Sequence, residues 1–282
     1  MALITIEDAA KLAPVFNTKF GHLLYKTGCK LFSVDALSAV YDANEQYLGV
    51  DFATHTLQYL KTDYQIGNYE RLATLPEGPF ITISNHPYGG IDGLVLIEMI
   101  GRTRPDYKVM VNKILAYLKS AMPNMITVTP TGKEKTVPTQ ESLKGIRIAM
   151  EHVREGHPLG LFPSGAVSDL SLKEWKIRDR QWQEPAIRLI KKLNVPIIPI
   201  RFFDRNSLFY YALGLINSEV RLTRLCREGI NKGGKNVRLA IGEVISPARQ
   251  KEFTDLGEFR AFLRSCVYDM PRPDKFIRRS EI

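Results

Sequence analysis

Cysteine is scarce: the 282-residue chain holds three, Cys29, Cys226 and Cys266, far apart and without CxxC spacing. That excludes a disulfide framework and a cysteine-based zinc site, and makes a reducing, intracellular setting the expectation. No apolar run approaches the ~18 residues a membrane span needs. The first residues carry Glu7 and Asp8 where a signal peptide would carry its positive region. His22, His55, His152 and His157 show no ligand spacing, so no metal is expected, and HVREGH reads as a helix end followed by a turn. The net charge is +9, yet no nucleic-acid motif accompanies it, so nucleic acid is not an expected partner.

What is present is a chain that is 44% hydrophobic, long enough for one large domain with a smaller appendage. Residues 1–75 show no convincing strand. Segments such as HLLYKTG, SVDALSAVYDANEQYL and FATHTLQYLK carry apolar residues at three- and four-residue spacing, which predicts short amphipathic helices with Ser33 and Asp51 as caps. From residue 76 onward, short apolar runs (PFITIS, YKVMVN, MITVTP, PLGLFP, VPIIPIR, VRLAIG) alternate with helical patterns. This alternation predicts an α/β fold, a largely parallel central sheet flanked by helices, with a small helical N-terminal region. Charge divides unevenly: residues 1–170 hold 16 Lys and Arg against 17 Asp and Glu, and residues 171–282 hold 23 against 13. A basic C-terminal portion recruits anionic partners.

In parallel sheets, ligands gather beyond the carboxyl ends of the strands. Four such ends here carry polar or Gly-containing segments: SNHPYGGIDG, VTPTGKEKT, FPSGAVSDL and PIRFFDRNS. The first holds more chemistry than a turn requires. Asp92 can accept a hydrogen bond from one nitrogen of His86, fixing its tautomer and raising the basicity of the other. Gly89 and Gly90 permit a tight bend, and the helix start beside them offers N–H groups to an anion. The set suits a base acting on a hydroxyl next to an anionic ligand.

SNHPYGGIDG resembles the NHxxxxD motif of the glycerolipid acyltransferase superfamily, FPSGAVS resembles its FPEGTRS block, and VPIIPIRF its closing VPIVPV block. NHPYGGIDG, FPSGAVSDL, IRDRQW, VPIIPIRFFDRNS and GLINSEVRLTRL further resemble a bacterial branch carried under the hemolysin name and related to O-acyltransferases of ornithine and glycine lipids. Five residues separate His86 from Asp92 where the general motif has four, so the Gly89–Gly90 pair is expected to absorb one. Ser164 replaces the family's Glu, Val167 its Arg, and TVTPTGK lacks the arginine of the second block. Those positions help hold an acceptor phosphate in the family. Their loss points to a head group other than simple glycerol 3-phosphate; an aminoacyl lipid would fit, its carboxylate met by Arg201, Lys133 or Lys135.

The resemblance implies transfer of a fatty acyl group from an acyl carrier protein or coenzyme A thioester to the hydroxyl of a lyso-lipid, aminoacyl or phospholipid, with no bound cofactor. His86 would be the general base and Asp92 its orienter. Asn85, Gly89, Gly90, Lys133, Pro163, Ser164, Gly165, Ser168 and Arg201 would form the substrate site, with backbone N–H groups of Gly89–Gly90 or Ser164–Gly165 facing the oxyanion. The expected location is cytoplasmic, peripheral on the anionic inner face of the bacterial membrane. The uncharged, aromatic-rich stretch Asn206 to Ser218 reads as an acyl-groove lining, an interfacial helix or an ordinary buried helix. Two other functions fit less of the sequence. A serine-type lipid hydrolase would use Ser164 or Ser168, but Phe162 stands where the GxSxG elbow needs its first Gly. A non-catalytic lipid or acyl-carrier binding protein would keep the fold alone.

Overall fold

The structure, a computed structural model, describes Thr18 and residues 34–129, 140–172, 174–216 and 218–282. Among the described residues two helices come first, α1 (Val34–Asp42) and α2 (Gly49–Tyr59). Asp51 lies in the first turn of α2, whose N-cap is Leu48, and Ser33 falls outside the described residues. A three-residue strand that periodicity does not reveal, β1 (Gln65–Gly67), follows.

The sheet then builds through β2 (Ile81–Ser84), α3 (Gly90–Gly101), β3 (Lys108–Asn112), β4 (Met125–Val128), α4 (Gln140–Arg154) and β5 (Leu159–Leu161). A separate antiparallel hairpin, β6 (Asp169–Ser171) with β7 (Lys176–Arg178), interrupts the alternation. After it come α5 (Glu184–Leu193), β8 (Ile197–Phe202), α6 (Leu208–Ile216), α7 (Ser218–Ile230), β9 (Arg238–Ile241), α8 (Pro247–Lys251), α9 (Leu256–Tyr268) and β10 (Phe276–Arg278).

Among the described residues, eight of these strands form one sheet in the order β10-β1-β9-β8-β2-β5-β3-β4. The run β8-β2-β5-β3-β4 is parallel throughout, β9 is antiparallel to β8, and β10 is antiparallel to β1. The expected largely parallel α/β sheet is therefore present, with β9 and its parallel neighbour β1 reversed and the edge strand β10 running again with the main set. Apolar residues on both faces explain the continuous hydrophobic runs, because each face is covered. Phe52 and Leu57 of α2, Val95, Leu96 and Ile100 of α3, and Ile198, Ile200 and Phe202 of β8 share one core. Ile81 and Ile83 of β2 join Val153, Ile187, Ile190, Phe259 and Leu263 in the core on the other face.

Helix α3 is apolar nearly all round because it is buried nearly all round. Its one acidic residue on the far side, Glu98, is fully buried. There it accepts from Arg279 Nε at 2.9 Å and Thr54 Oγ1 at 3.4 Å, is approached by Arg102 at 2.8 Å, and receives the Tyr64 hydroxyl. This cluster ties the end of the chain to the helix that opens at His86.

Candidate active site

Strands β8, β2 and β5 are neighbours, so the segments that follow them meet at one edge. After β2, the Asn85 side chain continues the ladder in place of backbone: Nδ2 donates to Phe202 O at 2.9 Å and Oδ1 accepts from Phe202 N at 2.8 Å. Both ends of the amide are thus spent on joining β2 to β8. His86 comes next, its ring stacked on Phe162 beyond β5 with centroids 4.1 Å apart.

Nδ1 of His86 lies 2.8 Å from Oδ2 of Asp92. The contact is close but bent, since the ring N–H does not point squarely at the oxygen. Oδ2 also accepts from Tyr88 N at 2.9 Å and Gly89 N at 3.0 Å, while Oδ1 is buried without a partner. Asp92 is fully buried, and that burial raises its carboxyl above the ordinary range against the opposing pull of His86 and the two amides. The His86 side chain keeps 18% of its surface open, and Nδ1 is sealed. The opposite ring edge, with Nε2, is left for a substrate.

The longer spacing is absorbed at Gly89. It is the N-cap of α3, with φ 86° and ψ −122°, and Asp92 at the third helical position folds back onto its amide. Gly90 starts the helix without positive φ. A Cβ on Gly89 would also come within 2.9 Å of Leu225. Gly89→Ala is therefore expected to lower both Tm and activity, whereas Gly90→Ala, which meets nothing within 4 Å, leaves both close to wild type in melts and transfer assays.

The loop after β5 is fastened to the backbone of His86. Ser168 N donates to His86 O at 2.8 Å, and His86 N donates to Asp179 Oδ1 at 3.1 Å, which also accepts from Ser168 Oγ at 2.6 Å. Asp179, from the IRDRQW segment just past β7, is buried, and its carboxyl is raised by that burial. Arg264 of α9 holds the Asp179 carbonyl at 3.0 Å. Ser164, also buried, donates to Ala166 O at 2.7 Å, and its carbonyl accepts from Gln183 at 3.1 Å. Neither Ser164 nor Ser168 has its hydroxyl bonded to the His86 ring.

Two expected oxyanion donors are already committed. Gly89 N–H serves Asp92, and Gly165 N–H serves Phe162 O at 2.9 Å. The first-turn amides of Gly90 and Ile91 are the donors the helix start leaves over. Pro163 gives its carbonyl to Gln183 N at 2.8 Å. Arg201 does not join the group. It alternates with Ile200 and Phe202 along β8 and carries its guanidinium to Met270 O at 2.7 Å, at the end of α9 on the opposite face from α3. Lys133 and Lys135 lie outside the described residues.

Sequence reasoning missed Asp179 and also Lys232. The ammonium of Lys232 stands 4.3 Å from the Tyr88 ring centroid and donates to Arg205 O at 3.2 Å. Burial pulls its pKa down to about 8. Nothing in its local sequence distinguishes it from a surface lysine.

A family model described as "Acyltransferase" matches residues 46–272. The chain belongs to the acyltransferase family. Its curated relatives include the lyso-glycine lipid O-acyltransferase of Bacteroides thetaiotaomicron, 27% identical over 250 residues, covering 86% of this chain and 87% of the relative. Another, of the same name from Phocaeicola vulgatus, is 25% identical over 245 residues, covering 84% and 83%. Among solved structures, the acyltransferase fold is similar to the 1-acyl-sn-glycerophosphate (LPA) acyltransferase of Thermotoga maritima, with a TM-score of 0.50 and 15% identity over 92% of this chain and 90% of that one. Among the described residues, no helix of the acyltransferase is long and apolar enough to cross a membrane.

Proposed function

We propose that this enzyme transfers a fatty acyl group from a thioester of acyl carrier protein or coenzyme A to the hydroxyl of a lyso-lipid, with an aminoacyl lipid such as a lyso-glycine lipid as acceptor. It works from the cytoplasmic side, at the inner face of the membrane. The observation that carries this reading is the 2.8 Å approach of His86 Nδ1 to the buried Asp92, in a family of acyltransferases whose relatives bear that acceptor in their names.

Pairing with ionised Asp92 puts the ring proton on Nδ1 and frees Nε2 to accept the acceptor's hydroxyl proton as its oxygen attacks the thioester carbonyl. Asp92 then stabilises the imidazolium. The tetrahedral oxyanion takes the amides at the start of α3, a kind of donor worth roughly 3 kcal/mol each. Collapse expels a thiolate, a leaving group that needs little acid help. The bent contact to Asp92 is of the kind that straightens when substrate fills the site. Asn85, Gly89, Asp179 and Ser168 act on the reaction by holding the loop. Phe162 stacks on the ring at which the acceptor is received.

The test is transfer of a labelled acyl chain, with carrier protein and coenzyme A thioesters offered in parallel to lyso-glycine lipid and to lysophosphatidate. Diacyl product from the aminoacyl acceptor supports the reading, and thioester loss with free fatty acid as the sole product overturns it. Ser164→Ala is expected to retain transfer, because its hydroxyl serves Ala166 O. An acyl-Ser164 adduct trapped in the wild type would instead establish a serine hydrolase.

A further inference from the structure

Helix α6 faces the wrong way for a soluble protein. Tyr210 and Tyr211 point inward and are buried, and the Tyr211 hydroxyl reaches Pro87 O, next to His86, at 3.3 Å. The other side carries Leu208, Phe209, Ala212, Leu215 and Ile216, all exposed. Their spacing of one, four, seven and eight residues is that of an apolar helix face, which ordinarily packs into a core. Here Ile216 is 81% exposed. Beside it, Leu170 and Ile177 of the β6–β7 hairpin pack with Tyr210 and Tyr211, and the hairpin turn presents Leu172 and Trp175, the latter 79% exposed. Two neighbouring elements thus present large apolar side chains outward.

The border of this surface is basic. The Arg224 guanidinium of α7 lies 4.9 Å over the Phe209 ring, and Arg205, Arg227 and Lys176 are exposed nearby. Among the described residues the carboxylates close by are engaged: Asp169 with Arg180 and Arg221, Glu174 with Arg178, and buried Glu228 with Ser207 and, at 3.6 Å, with Arg224 itself. An apolar stripe with an aromatic at its edge and a cationic border matches the interface of an anionic bilayer, where rings sit at headgroup level and arginines meet phosphates. A second copy of the chain fits less well, because stripe-to-stripe contact would crowd the arginines of both copies together.

We infer that the outer face of α6 and the turn of the β6–β7 hairpin are the surface by which the enzyme docks on anionic lipid. The inference rests on the lyso-lipid reading for its purpose: the inner face of α6 touches the loop that carries His86, so docking brings that loop to the depth at which a lyso-lipid hydroxyl lies.

The chain reports on this itself. It has two tryptophans, and Trp182 is 1% exposed while Trp175 is open. With the full chain and vesicles of phosphatidylglycerol and phosphatidylethanolamine, Trp emission is expected to shift to the blue and to be quenched by brominated acyl chains. The Trp175→Phe variant should lose both responses. Phe209→Ser with Ile216→Ser is expected to weaken vesicle binding at least about tenfold. Circular dichroism and transfer to a short-chain, monomeric acceptor should be unchanged, since both side chains lie outside the fold and the site. Unshifted emission at saturating vesicle concentration overturns the inference, as does vesicle binding that the double variant retains. So does a dimer in sedimentation that the double variant abolishes. Vesicle binding of the expected kind, by an enzyme that acylates no acceptor, would leave the docking surface standing and remove the proposed reaction instead.

Discussion

Asp92→Asn is expected to lower kcat by about 10^2- to 10^4-fold while leaving Tm at neutral pH unchanged or raised. The two halves of this result have one cause. A fully buried carboxylate with a vacant Oδ1 is costly to ionise, and burial lifts its pKa despite His86 and two amides. Because the folded-state pKa is above the unfolded one, the stability Asp92 contributes is complete below about pH 4 and is lost as pH rises through the raised value. Asparagine removes that loss near neutrality, and its amide oxygen still accepts from Tyr88 N and Gly89 N. What it cannot do is hold a proton on Nδ1 or stabilise an imidazolium. Melts from pH 4 to 8 should therefore show the largest advantage of Asn over Asp at the high end, and the wild-type rate should fall on the acid side at a pH above the ordinary carboxylate range. A variant that melts several degrees lower with kcat intact would make Asp92 a purely structural residue.

Glu98→Ala should act in the opposite way, through stability. The carboxylate is fully buried and gathers Arg279, Arg102, Tyr64 and Thr54. Removing it strands the Arg279 side chain, 10% exposed, and the buried Tyr64 hydroxyl without a counterpart. Breaking a buried pair from one side costs about 3–5 kcal/mol, which for a chain of this size is on the order of 10 °C in Tm. Arg279 follows β10, so the loss should show first as faster amide exchange in residues 276–282, at the edge strand. Glu98→Gln, which keeps the volume and one acceptor, should lose less. At a temperature where both variants remain folded, kcat should be unaffected, because Glu98 faces away from the His86 loop. Equal Tm values for Glu98→Ala and wild type would mean that the cluster contributes nothing net.

Much of this architecture was legible in the sequence for physical reasons. Strands β2 and β8 are covered on both faces, so they read as unbroken apolar runs bounded by turn residues. The Asn-His-Pro and Gly-Gly-Ile-Asp elements stand out because a turn needs neither a base nor an acid. The three-residue strands β1 and β10 are too short to show a period, and they pair with residues distant in sequence. Asp179 was invisible for a related reason: a lone acid among arginines looks solvated, and only the fold of the hairpin brings it to the His86 amide. Arg201 misled through parity, since one residue along a strand separates the two faces of the sheet. The uncharged, aromatic-rich character of Asn206 to Ser218 was legible, but composition does not say which side of a helix faces out, and the direction of α6 came from the burial of Tyr210 and Tyr211.

The central claim is that His86 takes the proton from the attacking hydroxyl. The direct measurement is kcat/KM of His86→Ala for acyl transfer to the lyso-lipid acceptor, alongside a melt. Alanine preserves the bonds that fasten the loop, because Asp179 and Ser168 hold the backbone N–H and carbonyl of residue 86, not its ring. A folded protein is expected in which kcat/KM falls at least as far as in Asp92→Asn, on the order of a hundred- to ten-thousandfold. Transfer at the wild-type rate by a folded His86→Ala enzyme would contradict it.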